Sequence, residues 1–573
     1  VGNGASLRNA RLAILCPRPI GDQPMWNDDH TCVMVFNGEI FNFKELRDRE
    51  GFTCKTNTDT EVLLKLYETY GEMFVQKLRG MFAFGIYDTR KQMFILARDT
   101  SGIKPLFYTT AGGTLAFASE MRTLLAALPT KPTLNETSLS QYLRLQYVPG
   151  PETMCTDIQS LEPGVILTWH DGRTKKFHFY SDVQPHAAFA SRGAFAEEFP
   201  VLMEDSVRAH MISDRPVGLF LSGGMDSSIL LHHMAALSSH PVETFTVRFE
   251  ATEEEGAKRF NTDADFAAKT AKHYGAHHHE ILLTASLFRD LYADTARALD
   301  QPNADHVSVA QFLLAREAKK HVDVALTGAG GDELFGGYPR YRVARVLDVL
   351  SPIPSGLRRL LARGTSYPPD VLGMNPGPSL AERLLARPVE EIERIAKGSW
   401  FDASATRKLF QDRFVFETGL DDIRQFEEFD RHLWLVDESL RLTDATTMAS
   451  GLEGRVPFID PNVIAAAHAT KSTWNVTLTK TKALLKQTYR PLLPEHLFAL
   501  DKASFYPPLA KWLRREAWPL VEHMLEHPRI RERFDVEALR TIAEDHKHHR
   551  KYGLHVLSSL IQLAHWFDTV YDC

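Results

Sequence analysis

Residues 218–231, Gly-Leu-Phe-Leu-Ser-Gly-Gly-Met-Asp-Ser-Ser-Ile-Leu-Leu, constrain the fold of this chain more than any other segment. A short apolar run breaks at Ser222, Gly223 and Gly224. After Asp226, Ser227 and Ser228 it resumes with helical spacing, so the pattern reads strand, tight turn, helix. A helix at about 196–212 precedes it. The strand "ETFTVRF", a helix at about 263–274 and a strand near "HEILL" follow, and this alternation predicts a parallel sheet with right-handed crossovers. The glycines let backbone approach a ligand closely, and the free N–H groups opening the helix favour an anion. Pyrophosphate suits such a cradle. The GxxxxGK[ST] pattern of a standard phosphate loop is absent, and Asp226 beside the cradle is placed to hold Mg²⁺. The competing reading is a turn whose Ser and Asp act only as helix caps.

Upstream the texture differs. From about 11 to 125, "CVMVFNGEI", "MFAFGIYD", "MFILARD" and "TLAFASE" alternate with period two, interrupted by one helix at about 60–77. This predicts a sheet-rich α+β domain. A polar stretch with Pro and Gly at 181–194 places the boundary near 190, giving domains 1–190 and 191–573, and beyond about 340 the pattern is almost all helical. With 66 Lys and Arg against 73 Asp and Glu, the net charge of -7 argues against a nucleic-acid partner. Five scattered cysteines (Cys16, Cys32, Cys54, Cys155, Cys573) without a CxxC pair fit a reducing compartment, so a cytoplasmic location is expected. No run approaches the ~18–20 apolar residues of a membrane helix, and no leader pattern opens the chain.

A second loop, "VALTGAGGDELFGGYPRYR", also follows an apolar strand and crowds Gly328, Gly330, Gly331, Asp332 and Glu333 together, so Asp332 suits a second Mg²⁺ ligand facing Asp226. The first loop resembles the ATP-pyrophosphatase group. With the second loop, "MASGLEGRVPFIDP" and "DKASFYPPLAKWLR", the chain from 191 onward resembles the synthetase domain of glutamine-hydrolysing asparagine synthetases. The front part resembles a class II glutamine amidotransferase, of the kind with an N-terminal nucleophile, through "NARLAIL", "VFNGEIFN", "TNTDTEVLL", "LRGMFAFGIYD", "ARDTSGIKPLFY" and "FASEMRTLL". The resemblance implies that Asp226 and Asp332 hold Mg²⁺. Leu221, Ser222, Gly223, Gly224, Ser227, Ser228, Thr327 and Gly328 would bind ATP and pyrophosphate, Val247 would line the adenine pocket, and Lys502 would neutralise phosphate. It further implies that Arg11 grips the glutamine carboxylate, Glu39 and Asp59 its amino group, and that Asn37 with the Gly38 N–H forms an oxyanion hole. The implied reaction activates a carboxylic acid such as aspartate as an acyl-adenylate, which ammonia from glutamine then attacks. The implied assembly is a homodimer.

Two departures stand out. Class II amidotransferases use an N-terminal cysteine, and none of the five cysteines can take that place, so the chain as given is not expected to hydrolyse glutamine. A missing segment is favoured over natural loss because Arg11, Asn37, Glu39 and Asp59 are all present. Position 329, where asparagine synthetases carry Glu or Asp, is alanine, which removes an anion expected beside the substrate ammonium. The alternatives are therefore an adenylating cyclase resembling β-lactam synthetases, which needs no ammonia, and an ATP-binding pseudoenzyme. Asp300, Gln301 and Asp305 are open between substrate contact and helix capping. "DHKHHR" at 545–550 reads as a solvated helix face. In "GAHHHE" (His277 to Glu280) adjacent strand residues face opposite ways, so the three histidines cannot share one metal ion.

Overall fold

A computed structural model describes residues 4–180, 186–250, 257–362, 365, 367–414, 421–499 and 506–573. Nine strands precede residue 180: β1 (Met25–Trp26), β2 (Cys32–Ile40), β3 (Gly80–Asp88), β4 (Met93–Arg98), β5 (Phe107–Thr109), β6 (Ala116–Ala118), β7 (Gln159–Ser160), β8 (Val165–His170) and β9 (Arg173–His178). Six form one antiparallel sheet in the order β1-β2-β3-β4-β8-β9, and a small sheet runs β6-β5-β7. The period-two pattern holds because β2, β3 and β4 lie at the sheet centre, with Met34, Phe36, Phe84 and Ile95 packed under the helix Asp59–Tyr70. That helix is shorter than the expected 60–77. Gly71, at φ 61°, ends the α-helix, and Gly71–Lys77 tightens into a 3₁₀ turn. A further helix, Phe43–Glu50, was not foreseen; its burial rests on Phe43 and Leu46 alone.

The second part begins with the helix Arg192–His210, whose Ser191 side chain accepts from the Ala194 N–H. Five parallel strands follow, β10 (Val217–Phe220), β11 (Glu243–Phe249), β12 (His277–Leu283), β13 (Val324–Leu326) and β14 (Glu453–Arg455), ordered β12-β11-β10-β13-β14. The order reverses at β10, so the crevice beyond the strand ends opens beside the Ser222 loop. Beyond 340 the described residues are almost all helical, as expected, apart from β14. Three residues, Glu-Gly-Arg, carry no apolar alternation, and they pair with β13 because the flanking Leu452 and Val456 are buried. The face expected of 545–550 needs correction, since His546 is fully buried and bonds the Ala510 carbonyl at 3.1 Å.

Buried charge joins the two parts. Arg79 Nε reaches Asp460 at 2.7 Å, and Lys104 Nζ reaches Asp444 at 2.8 Å. Arg455 binds Glu453 at 2.7 Å and Glu39 at 3.1 Å, and donates to the carbonyls of His210 and Ile212. Removing one member of a buried pair costs about 3–5 kcal/mol, because the other is left without a partner in a medium that solvates it poorly.

Candidate active site

The cradle is built at the end of β10. Leu221 donates its N–H to the Phe245 carbonyl at 2.9 Å, which carries the strand direction into the loop. Gly223 takes φ 72°, and a Cβ there would fall 2.2 Å from the Asp263 carbonyl oxygen, so the turn admits only glycine. Gly224 then caps the helix Met225–Leu237. Ser222 Oγ and Ser227 Oγ lie 3.1 Å apart, and Ser228 Oγ donates to the Gly224 carbonyl at 2.8 Å. Ser227 and Ser228 therefore do brace the helix start, while Ser222 faces the crevice beside the free end of that helix.

The second loop closes on the first. Thr327 donates its N–H to the Arg455 carbonyl at 2.8 Å, tying the loop to β14, and its Oγ1 accepts from the Ala329 N–H at 3.2 Å. Glycine is needed where this loop meets Asp226. A Cβ at Gly328 would sit 2.9 Å from Asp226 Cβ, and one at Gly331 would sit 2.7 Å from its Cγ. At Gly337 a Cβ would fall 1.7 Å from Asp332 Oδ1. The two aspartates expected to face each other are thus brought together.

Between them stands Lys482, which the sequence reading missed. Its Nζ lies 2.6 Å from Asp332 Oδ1 and bonds Asp226 Oδ2 as well. Burial opposes its charge, but the two carboxylates outweigh burial and raise its pKa. Lys482 also holds φ 50° at the start of the helix Ala483–Tyr489, a strained setting for a side chain that is kept for its position. The Lys-x-x-Leu of "TKALLK", in a stretch with several lysines, was the available signal, and no neighbouring glycine marks it. Lys502 lies outside the described residues. The aspartate pair offers hard oxygen donors converging where a cation already sits, with only two protein ligands, as suits Mg²⁺ that keeps phosphate and water in its remaining positions.

Beside Asp332 lies a buried acidic nest. Glu333, 2 % exposed, accepts from the Tyr338 hydroxyl at 2.6 Å, and burial together with Asp332 pushes its carboxyl up to about 7. Burial, then the neighbouring Asp305, hold Glu438 well above the usual range. Glu438 is buried beside the side chains of Asn303 and Asp305. Asp305 thus joins this nest while also capping Val307. Asp300 accepts from the N–H groups of Met121 and Arg122, and Gln301 accepts from Met154 N–H, so both act as backbone braces. Val247 is buried against the packed cluster that includes Leu283 and Phe288, two residues before the end of β11.

In the front part, Arg11, Asn37, Gly38, Glu39 and Asp59 line one cavity of about 810 Å³. The register Gly38↔Phe82 explains the glycine, since at φ 147° a Cβ would fall 2.1 Å from the Met81 carbonyl oxygen. Asn37 Nδ2 is 3.5 Å from Ser119 Oγ, and Arg11 donates to the carbonyls of Leu15 and Cys16. Asp59 accepts from the N–H groups of Ile40 and Thr60; burial pushes it up to about 6, against the pull of those two bonds. Glu39 is brought to the wall of this cavity but spends one oxygen on Arg455, and burial and Asp59 raise its pKa despite that partner. Arg441, Asp444, Met448 and Glu453, from the second part, line the same cavity.

Two family models match the chain. Residues 198–568 match the asparagine synthase family and residues 1–180 a glutamine amidotransferase domain. The chain is 34% identical to asparagine synthetase [glutamine-hydrolyzing] 1 of Bacillus subtilis, over 92% of this chain and 84% of that protein. It is 34% identical to a putative asparagine synthetase [glutamine-hydrolyzing] of Mycobacterium bovis, over 84% and 76%. Against asparagine synthetase B of Escherichia coli the identity is 30%, over 59% and 57%. An antiparallel amidotransferase domain, a parallel-sheet synthetase domain and two facing glycine-rich aspartate loops therefore go with sequence similarity along nearly the whole length, and the chain belongs to the family of glutamine-hydrolysing asparagine synthetases.

Proposed function

We propose that this protein is a ligase that uses ATP to convert aspartate into asparagine, with ammonia drawn from glutamine, AMP and pyrophosphate being the other products. The observation that carries the reading is Lys482 Nζ held between Asp226 and Asp332 beside the Ser222–Gly224 cradle. The acceptor carboxylate attacks the α phosphate of ATP and pyrophosphate leaves. The Ser222 hydroxyl and the open N–H groups of the helix Met225–Leu237 hold the departing pyrophosphate, and Lys482 neutralises charge that develops on the transferring phosphate. Asp226 and Asp332 would hold Mg²⁺, which supplies charge neutralisation on the phosphates when bound. Ammonia then attacks the acyl carbon and AMP departs.

Position 329 bears on the acceptor. Alanine supplies no anion for an α-ammonium, and the nest of Glu333, Glu438 and Asp305 supplies it instead in this reading; the Asn303 amide is placed for a carboxylate. Burial raises the pKa of Glu333 and Glu438, and an ammonium arriving beside them favours their charged forms. The division of roles at Arg11, Asn37, Gly38, Glu39 and Asp59 belongs to the same proposal, as do a homodimeric assembly and a cytoplasmic location; among the described residues no helix is long and apolar enough to cross a membrane. The test is AMP and pyrophosphate release from Mg-ATP and ammonium chloride with aspartate or a panel of other carboxylic acids. Asparagine formed only with aspartate supports the assignment. AMP release with another acid alone keeps the chemistry and overturns the substrate, and release without ammonium revives the cyclase.

A further inference from the structure

Strand β12 is the free edge of the five-stranded sheet, and it carries His277, His278 and His279 in succession. Alternation sends His278 to one face, where its Nδ1 lies 3.0 Å from Thr244 Oγ1. It sends His277 and His279 to the other, where the register sets them beside Glu243 and Phe245 of β11. Of the three adjacent histidines, alternation therefore sets only His278 apart from the other two. A third imidazole arrives from elsewhere. His321, just past the helix Ser308–Ala318, places its ring centroid 4.2 Å from that of His279. Glu243 Oε2 lies 2.6 Å from His279 Nε2, and its Oε1 lies 2.9 Å from His277 Nδ1. Glu243, His279 and His321 each present a ligand atom within 4.8 Å of the others.

We propose that Glu243, His279 and His321 form a binding site for one divalent transition-metal ion of the zinc type. Two imidazole nitrogens and a carboxylate oxygen are the donors that Zn²⁺ and its neighbours take, whereas Mg²⁺ prefers oxygen alone. Bonds of ~2.0–2.2 Å in a tetrahedral site set ligand atoms about 3.3 Å apart. The Glu243–His279 contact opens slightly to admit the ion, and His321 closes on it. The surroundings support the first ligands: His277 holds the other carboxylate oxygen, and Phe245 stacks on His279 with centroids 4.9 Å apart at 14°. Glu243 and His279 are half-buried and His321 is exposed, so an ion enters from solvent. Glu243 opens β11 and His277 opens β12, so the site lies at the strand end opposite the Ser222 and Thr327 loops. The ion would clip the sheet edge to the turn that enters β13, with no part in the adenylating chemistry.

Zinc chloride is titrated against a chromophoric chelator into the full chain without a histidine tag, in saturating MgCl₂ so that the aspartate pair stays occupied. One Zn²⁺ per chain is expected, with affinity falling at least tenfold in both His279→Gln and His321→Gln and unchanged in His278→Gln. Because His321 is exposed, its replacement leaves the fold intact. Cobalt substitution should give the visible bands of a four-coordinate ion in the unaltered chain and in His278→Gln only, and zinc should raise the Tm of those two proteins but not of His321→Gln. Substoichiometric binding, or equal loss in His278→Gln and His321→Gln, overturns the site.

Discussion

Arg455 Nη2 lies 3.1 Å from Glu39 Oε2, a link between the two halves in which neither side chain is more than 3% exposed. The guanidinium also serves Glu453 and two backbone carbonyls, so every face of it is spoken for. Arg455→Leu strands two buried carboxyls and should cost about 3–5 kcal/mol in urea unfolding. Adding Glu39→Gln should recover part of that loss. Additive single effects in a double-mutant cycle would mean the link carries no coupling.

Lys482→Ala should lower the rate of AMP formation by at least about 100-fold, the scale of losing one preorganised charge at a reacting phosphate. It also removes the ammonium that Asp226 and Asp332 share. MgCl₂ should therefore raise the Tm of Lys482→Ala by more than it raises that of the unaltered chain; an equal rise would place the lysine elsewhere in solution.

Glycine at 337 is needed for space at the aspartate pair. In Gly337→Ala the new methyl group meets Asp332 Oδ1, so Asp332 must leave Lys482. AMP release should fall by an order of magnitude or more, with far-UV circular dichroism unchanged. Gly356→Ala, where nothing lies within 4 Å, is the matched control and should keep full activity.

Glu333 gives the fold a pH signature. Its carboxyl, ordinarily near 4.5, is pushed up to about 7 by burial and by Asp332. Between those values the folded chain holds a proton that the unfolded chain releases, so this group's contribution to stability falls as pH rises through the window and is flat above it. The loss is about 3 kcal/mol at most. Urea midpoints at pH 5.5 and 8 should differ less in Glu333→Gln than in the unaltered chain.

The parts of the site that sequence made legible are those where glycine spacing reports backbone geometry. Gly223 and Gly224 between strand and helix, and the crowded loop through Gly331, marked both aspartates as facing groups. Lys482 was not legible, because a lysine is recruited by where its helix starts, and nothing local to residues 480–486 records that Asp226 lies across the crevice. Strand β14 escaped for a related reason. Its pairing is set by burial of Leu452 and Val456 and by the charges that meet Arg455, not by alternation along three residues. The histidines of β12 were legible as a strand, but His321 joins them only through the return of a helix, a relation of tertiary structure.

The cavity shared by the two halves has a consequence in terms of concentration. One molecule of ammonia within the 810 Å³ of this cavity would stand at about 2 M. Bulk solution at neutral pH would need far more than that as ammonium salt, since nearly all of it is protonated and cannot attack an acyl carbon. Ammonia released from glutamine into this cavity would therefore meet the helix Arg441–Ala449 and β14, which wall it on the synthetase side, at a concentration that a cell could not maintain in its solvent.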